Sequence, residues 1–326
     1  MSTATLDRPD SAVTVRSVAF VAGRRNEAKA LGRALADHVG DPDGLANALR
    51  RGLDDLADPE VQAGQAFVAP GIRPTLGVRT PLLKAAGAGF RAATRRDRSA
   101  PLLAVADRLL REPYLEMRWF AFGLLERLVL EDPERAWQLL RRAAREGGDW
   151  ITIDTLARSY ARGVLAAPFR WAELEQLVFS PSRWERRLVG STLAAIPHTD
   201  HVAGRTGSVA VQGLALLGRL IGDAEPDVQK GLSWAYRTLA EVDPDATLAA
   251  LTAETETAAA QGDGHRAWVI RDALSKLPAP DAARLRERLR GVRRSADAPS
   301  TSEAAAIGAR FGELPDPRNH PEPPLG

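Results

Sequence analysis

Residues 116–128 read EMRWFAFGLLERL, and a version of the same stretch returns four times further along the chain. With Arg118 placed in register with Asp154, Arg187, Lys230 and Trp268, the intervals are 36, 33, 43 and 38 residues. Three residues on stand Ala121, Ala157, Gly190, Ser233 and Arg271; six on stand Leu124, Tyr160, Leu193, Tyr236 and Leu274. A small side chain there lets neighbouring helices approach closely, and the larger one a turn later fills the stack. Arg271 alone breaks the small column. A recurrence near 40 residues is the period of HEAT-type helix pairs.

Outward from this register, proline marks the joints. Pro101, Pro113, Pro133, Pro168, Pro181, Pro226, Pro244 and Pro278 fall mostly between the periodic segments, which leaves room for paired helices of about 12–15 residues. Strand-like alternation is nowhere sustained. The fold class expected is all-α, an α-α superhelix (solenoid) of HEAT-like repeats. Residues 1–17 carry no sustained apolar period and read as a flexible lead, 18–295 as the repeat domain, and 296–326 as a Pro-rich disordered tail.

Composition narrows the chemistry. The chain has 326 residues and no cysteine, which excludes disulfides, thiolate nucleophiles and cysteine-based zinc sites. No apolar run approaches the roughly 18 residues of a membrane span, and SVAFVA (17–22) is too short for a signal segment. The expectation is a soluble, intracellular monomer without a membrane partner. The net charge of +2 understates the basicity of the repeats: residues 297–326 hold five acids against two bases, which leaves +5 on the remainder.

In a right-handed solenoid the second helices of successive pairs line one concave surface. The register therefore predicts a row of cations along it, Arg118, Arg187 and Lys230, interrupted by one carboxylate, Asp154. A row of cations suits a polyphosphate backbone, and Arg186 and Arg237 are added to it as phosphate candidates. A lone acid in such a row is either a solvated surface charge or a reactive group. Trp150 precedes Asp154 by four residues and shares its helix face; Trp234 follows Lys230 by the same interval. Trp119, Trp137, Trp171 and Trp268 are assigned to packing, and Trp184 is left open. The HTDH segment superficially offers His198, Asp200 and His201 as ligands, but the polar stretch between helices lacks a further partner suited to a metal, so no metal and no cofactor are expected.

At these residues the chain resembles the AlkD-like family of DNA alkylation repair glycosylases, built from HEAT-like repeats. TLGVRTPLLKA is similar to the family's Gly-Val-x-x-Pro segment, DWITIDTL to its Trp-x-x-x-Asp helix start, and SRWERRLVGSTL to its Trp-x-Arg-Arg helix. EPDVQKGLSWAYRTLAEVDPD is similar to its Lys-x-x-x-Trp helix and HRAWVIRDALSKLP to its closing helix. The resemblance runs from about residue 70 to 280. Ile151 stands where many relatives carry a second acid.

The resemblance implies excision of cationic N3- and N7-alkylated purines, bulky adducts included, from double-stranded DNA without base flipping, in the cytoplasm with the nucleoid. Asp154 would be the catalytic carboxylate, with Trp150 and Trp234 as aromatic walls around the deoxyribose. Two other readings stay open: a non-catalytic HEAT-repeat protein that binds branched or damaged DNA, and a protein–protein scaffold that would need no cationic row.

Overall fold

The computed structural model describes residues 12–68 and 72–308, and among them there is no strand. The chain divides into two compact units, Met1–Leu124 and Leu125–Gly326. In chain order the helices are α1 (Ala12–Ala34), α2 (Pro42–Asp55), α3 (Pro59–Val68), α4 (Thr80–Ala93), α5 (Ser99–Leu110) and α6 (Leu115–Glu131). There follow α7 (Pro133–Arg145), α8 (Trp150–Ala166), α9 (Arg170–Gln176), α10 (Arg183–Thr199) and α11 (Gly207–Leu220). The last are α12 (Pro226–Leu239), α13 (Pro244–Gln261), α14 (Gly264–Ala273), α15 (Ala279–Arg288) and α16 (Glu303–Gly308). The expected all-α helical repeat is what the chain forms. No helix among the described residues is long and apolar enough to cross a membrane.

Local chemistry explains the punctuation. Pro42, Pro133, Pro226 and Pro244 each open a helix, where the missing N–H costs nothing. Asp41, Asp149, Thr206, Asp243 and Asp263 cap helices by accepting from a backbone N–H two or three residues into the first turn. Pro197 is the exception, lying inside α10 close to its C-terminal end.

In the first unit, α1 packs closely on α4 because Gly32 and Gly89 face each other's helix backbone; a Cβ on Gly32 would collide with the Ala86 carbonyl, and one on Gly89 with that of Lys29. The TLGVRTP segment before α4 is held by one carboxylate. Glu116, in the first turn of α6 and fully buried, accepts from the Thr75 hydroxyl at 2.6 Å and from the N–H groups of Leu76 (3.0 Å), Gly77 (2.9 Å) and Val78 (3.1 Å). Gly77 takes φ +82° there, a backbone conformation that glycine adopts without steric cost.

In the second unit the register is borne out. The helices α8, α10, α12 and α14 pack side by side in that order. Ala157, Gly190 and Ser233 are buried, and Gly190 lets α10 approach α12 so closely that an added Cβ would lie 2.6 Å from the Gly231 carbonyl carbon. Tyr160, Leu193, Tyr236 and Leu274 are all buried between layers. Arg271, the break in the small column, is half-buried and donates to the carbonyls of Leu289 and Val292, both at 2.7 Å.

Two terminal expectations are revised. The first helix begins at Ala12, so 12–17 belong to it rather than to a flexible lead; extending a helix already nucleated costs little. Residues 1–11 lie outside the described residues. The segment expected as a disordered tail is ordered as far as Gly308, and it lies along the turns of the second unit. An added Cβ on Gly264 would collide with the backbone of Arg293 and Arg294. His265, buried on α14, bonds the Ala298 carbonyl through Nε2 at 2.9 Å. Thr301 donates its N–H to the Gly222 carbonyl at 3.0 Å and its hydroxyl to Asp263. The last helix then packs on α11 and on the turn Leu177–Phe179. The segment thus crosses the turns that precede α14, α12 and α10 in succession. Residues 309–326 of that tail lie outside the described residues.

Candidate active site

Asp149 caps α8, its carboxylate accepting from the Thr152 N–H and hydroxyl at 2.7 Å each. This matters for Asp154. The helix start already has its acceptor, so Asp154, a turn further on, is free of capping duty.

What Asp154 does instead is face α10. Its Oδ1 accepts from Arg187 Nε at 3.0 Å and from the Ser191 hydroxyl at 2.6 Å; its Oδ2 accepts from a terminal nitrogen of Arg187 at 2.7 Å. The remaining Arg187 nitrogen donates to the Asp227 carbonyl of α12 at 2.7 Å. One guanidinium therefore ties three consecutive inner helices together. A carboxylate offers about four acceptor positions. Three are used here, and the unused one is on Oδ2. The Asp154 side chain keeps 21% of its surface exposed while that of Arg187 keeps 6%, so the acid is the open member of the pair. The half-buried Trp150 lies beside it, its ring 6.0 Å from the Arg187 guanidinium carbon.

The expected cationic row divides when its members are examined singly. Arg118 is 2% exposed and donates to the Leu110 carbonyl at the end of α5, where a helix terminus leaves carbonyls in need of donors. That burial contradicts a phosphate-contacting role for it. Arg187 is likewise buried and committed to Asp154, so it too is corrected from a surface contact to a holder of the acid. Arg186 donates to Asp223 at 2.7 Å and to the carbonyls of Ser180 and Pro181, both at 2.9 Å. Arg237 pairs with Asp272 of α14. Lys230 is exposed and has no ion pair among the described residues.

The tryptophans also separate. Trp234 is half-buried on α12, four residues after Lys230, and is not among the groups bonded to Asp154. Trp137 is a packing residue as expected, buried, stacked by Arg170 and donating to Glu173 at 2.7 Å. Trp184, left open by the sequence, is 5% exposed and belongs to the core. Ser191 was missed by sequence reasoning, although a hydroxyl one turn after Arg187 on the same face was a usable signal.

No group of three potential metal ligands occurs among the described residues. In the HTDH segment Asp200 accepts from the N–H groups of Val202 and Ala203 at 2.9 Å each. Those two bonds, Ala203 first, hold its carboxyl below the usual range. A cavity of about 560 Å³ lies elsewhere, in the first unit, lined by Val18, Val21, Arg25, Val78 and Arg79 without any acid. It shares none of the chemistry gathered at Asp154.

A comparison with curated proteins finds no match. The family comparison does: residues 49–277, more than two thirds of the chain and all of α8, α10 and α12, match the DNA alkylation repair enzymes. With an all-α helical repeat and a match of that extent, the chain belongs to the DNA alkylation repair enzyme family.

Proposed function

We propose that the protein is a DNA glycosylase that releases cationic N3- and N7-alkylated purines from duplex DNA. The observation that carries this is the Asp154 carboxylate, fixed by Arg187 and Ser191 with one acceptor position of Oδ2 unused. Alkylation at N3 or N7 already makes the purine a good leaving group, so no acid need protonate it. The C1′–N9 bond breaks with its electron pair passing to the base, which leaves as a neutral alkylpurine. The sugar becomes an oxocarbenium-like cation, and the carboxylate stabilises it as charge develops. Water held at Oδ2 adds to C1′ through its oxygen and passes a proton to the carboxylate, which returns it to solvent, and an abasic site remains.

In this reading Arg187 and Ser191 remove the rotational freedom of the carboxylate before substrate arrives, so no ordering cost falls on the reacting step. Trp150 and Trp234 offer aromatic faces to the deoxyribose and the cationic base. Selectivity comes from the lesion's own charge and weakened bond rather than from a pocket shaped to the base, so the base need not leave its stack. The test is one duplex context carrying in turn N7-methylguanine, N3-methyladenine, a bulky N3-alkyladenine and hypoxanthine. Release of the cationic lesions, the bulky one included, with hypoxanthine retained is the expected result. Rapid release of hypoxanthine with the bulky adduct untouched would point to a base-flipping pocket and overturn it.

A further inference from the structure

Four of the five cations expected on the inner row are engaged within the protein, and only Lys230 stands free. A duplex-binding surface needs more than one charge, because each neutralised phosphate adds to the binding free energy mainly by releasing counterions. The missing charge is found where the sequence pattern of the repeats has ended. Arg293 and Arg294 follow α15, outside the residues shared with the family. Both are exposed, and neither forms an ion pair among the described residues.

The position of Arg294 is built. Its guanidinium donates to the Gln229 side-chain oxygen at 2.8 Å and lies 5.8 Å from the centre of the Trp268 ring. Gln229 is fully buried and uses its amide nitrogen on the Asp223 carbonyl at 2.6 Å and on His265 Nδ1 at 3.1 Å. It is therefore a rigid neutral anchor that holds Arg294 without cancelling its charge. Gln229 is the chain neighbour of Lys230, and Trp268 is the register counterpart of Lys230 on the next helix. Arg293 is fixed in turn by the close passage of its carbonyl over Gly264. Nearby acids are already spoken for, Asp263 by Arg266 and Thr301, and Asp223 by Arg186; Asp297 is the exposed acid of the segment.

We infer that Arg293 and Arg294 form a phosphate-contacting extension of the DNA face, continuing from Lys230 across Trp268. The segment after the repeats thus supplies cations that the inner helices spend on themselves. The inference rests on the proposed action on duplex DNA. Phosphate contacts position a duplex and read no sequence, so the effect extends to damaged and undamaged DNA alike.

The experiment measures binding of the full chain to an undamaged duplex over a range of salt, for wild type, Arg293→Gln with Arg294→Gln, Arg294→Gln alone, Arg294→Lys and Lys230→Ala. The double variant should lower the salt slope by about two units, and Lys230→Ala by about one. Arg294→Lys should keep the slope, since it retains the charge while losing the guanidinium fork. A thermal melt of each variant separates lost charge from lost folding; should the double variant melt early, the slope of Arg294→Lys against Arg294→Gln alone decides the matter. An unchanged slope in the double variant, with Lys230→Ala reduced, overturns this inference and leaves the site reading standing. Failure of the wild type to bind duplex at all overturns both.

Discussion

Glu116 in the first unit and Asp154 in the second are both carboxylates near the start of an inner-register helix, yet they are treated oppositely. Glu116 is fully buried and receives four donors, three of them backbone N–H groups of one loop. It is closed to solvent and given over to the loop. Asp154 receives three donors from two side chains, keeps a fifth of its surface exposed, and has an acceptor position left over. Burial behind a loop's own N–H groups marks the carboxylate that holds a loop, whereas the one read above as reactive stays open to solvent. Their surroundings differ in kind as well. Backbone donors belong to the fold and cannot be withdrawn, whereas Arg187 and Ser191 aim a group that still faces outward.

The largest effect that would break this contrast is expected at Asp154. Replacement by Asn keeps size and most hydrogen bonding but removes the charge to which the proposed mechanism assigns stabilisation of the sugar cation. Single-turnover excision of N7-methylguanine should fall by about 10- to 1000-fold with duplex binding retained. Wild-type rates would reduce Asp154 to a surface charge. Glu116→Gln should act on the other observable. It places an amide NH₂ among four donors and should cost about 3 kcal/mol of stability, seen as a lower melting midpoint, while the excision rate of the folded fraction is unchanged. An equal loss of rate would mean that the two acids do not differ as described.

A smaller effect sharpens the comparison from the cation's side. Arg187→Lys preserves charge but cannot donate from Nε and a terminal nitrogen together. Excision should drop by up to about 100-fold, the cost of a misplaced reacting group, with the salt slope of binding intact. A slope reduced by one unit with full activity would restore Arg187 to the phosphate row. The smallest is Ser191→Ala, which removes one neutral-to-charged hydrogen bond, of a class that contributes about 1.5–3 kcal/mol to stability. The rate should fall several-fold, and Ser191→Thr should recover it. No recovery by threonine would make Ser191 a packing residue.

Much of this architecture was readable from the chain. Period, joints and the small column follow from side-chain volume and backbone chemistry, which are local properties. The carboxylate was readable as well, because it interrupts a column. Its partner was not. Register places Arg187 on a helix face but says nothing about what lies across from it, and a guanidinium reaches a neighbouring helix as readily as it reaches solvent. Arg118 was misread for the same reason, since the carbonyl it satisfies belongs to the preceding helix. The order of residues 296–308 was hidden differently. Composition measures how much apolar surface a stretch can bury, whereas this one is held largely through hydroxyls, a histidine and main-chain groups. Such bonds leave little trace in hydropathy.

The lay of that last segment also has a consequence in time. Thr301 bonds Gly222, a partner 79 residues earlier, and the contacts at His265 and Asp263 await the same few residues. A chain made from its N-terminus, folding each part as it emerges, can stack its repeats long before these are synthesised. The turns before α14, α12 and α10 must then stand open until residues 293–308 have themselves emerged from the ribosome. A nascent chain stalled short of residue 293 would carry a complete Asp154–Arg187 pair on an unfinished edge.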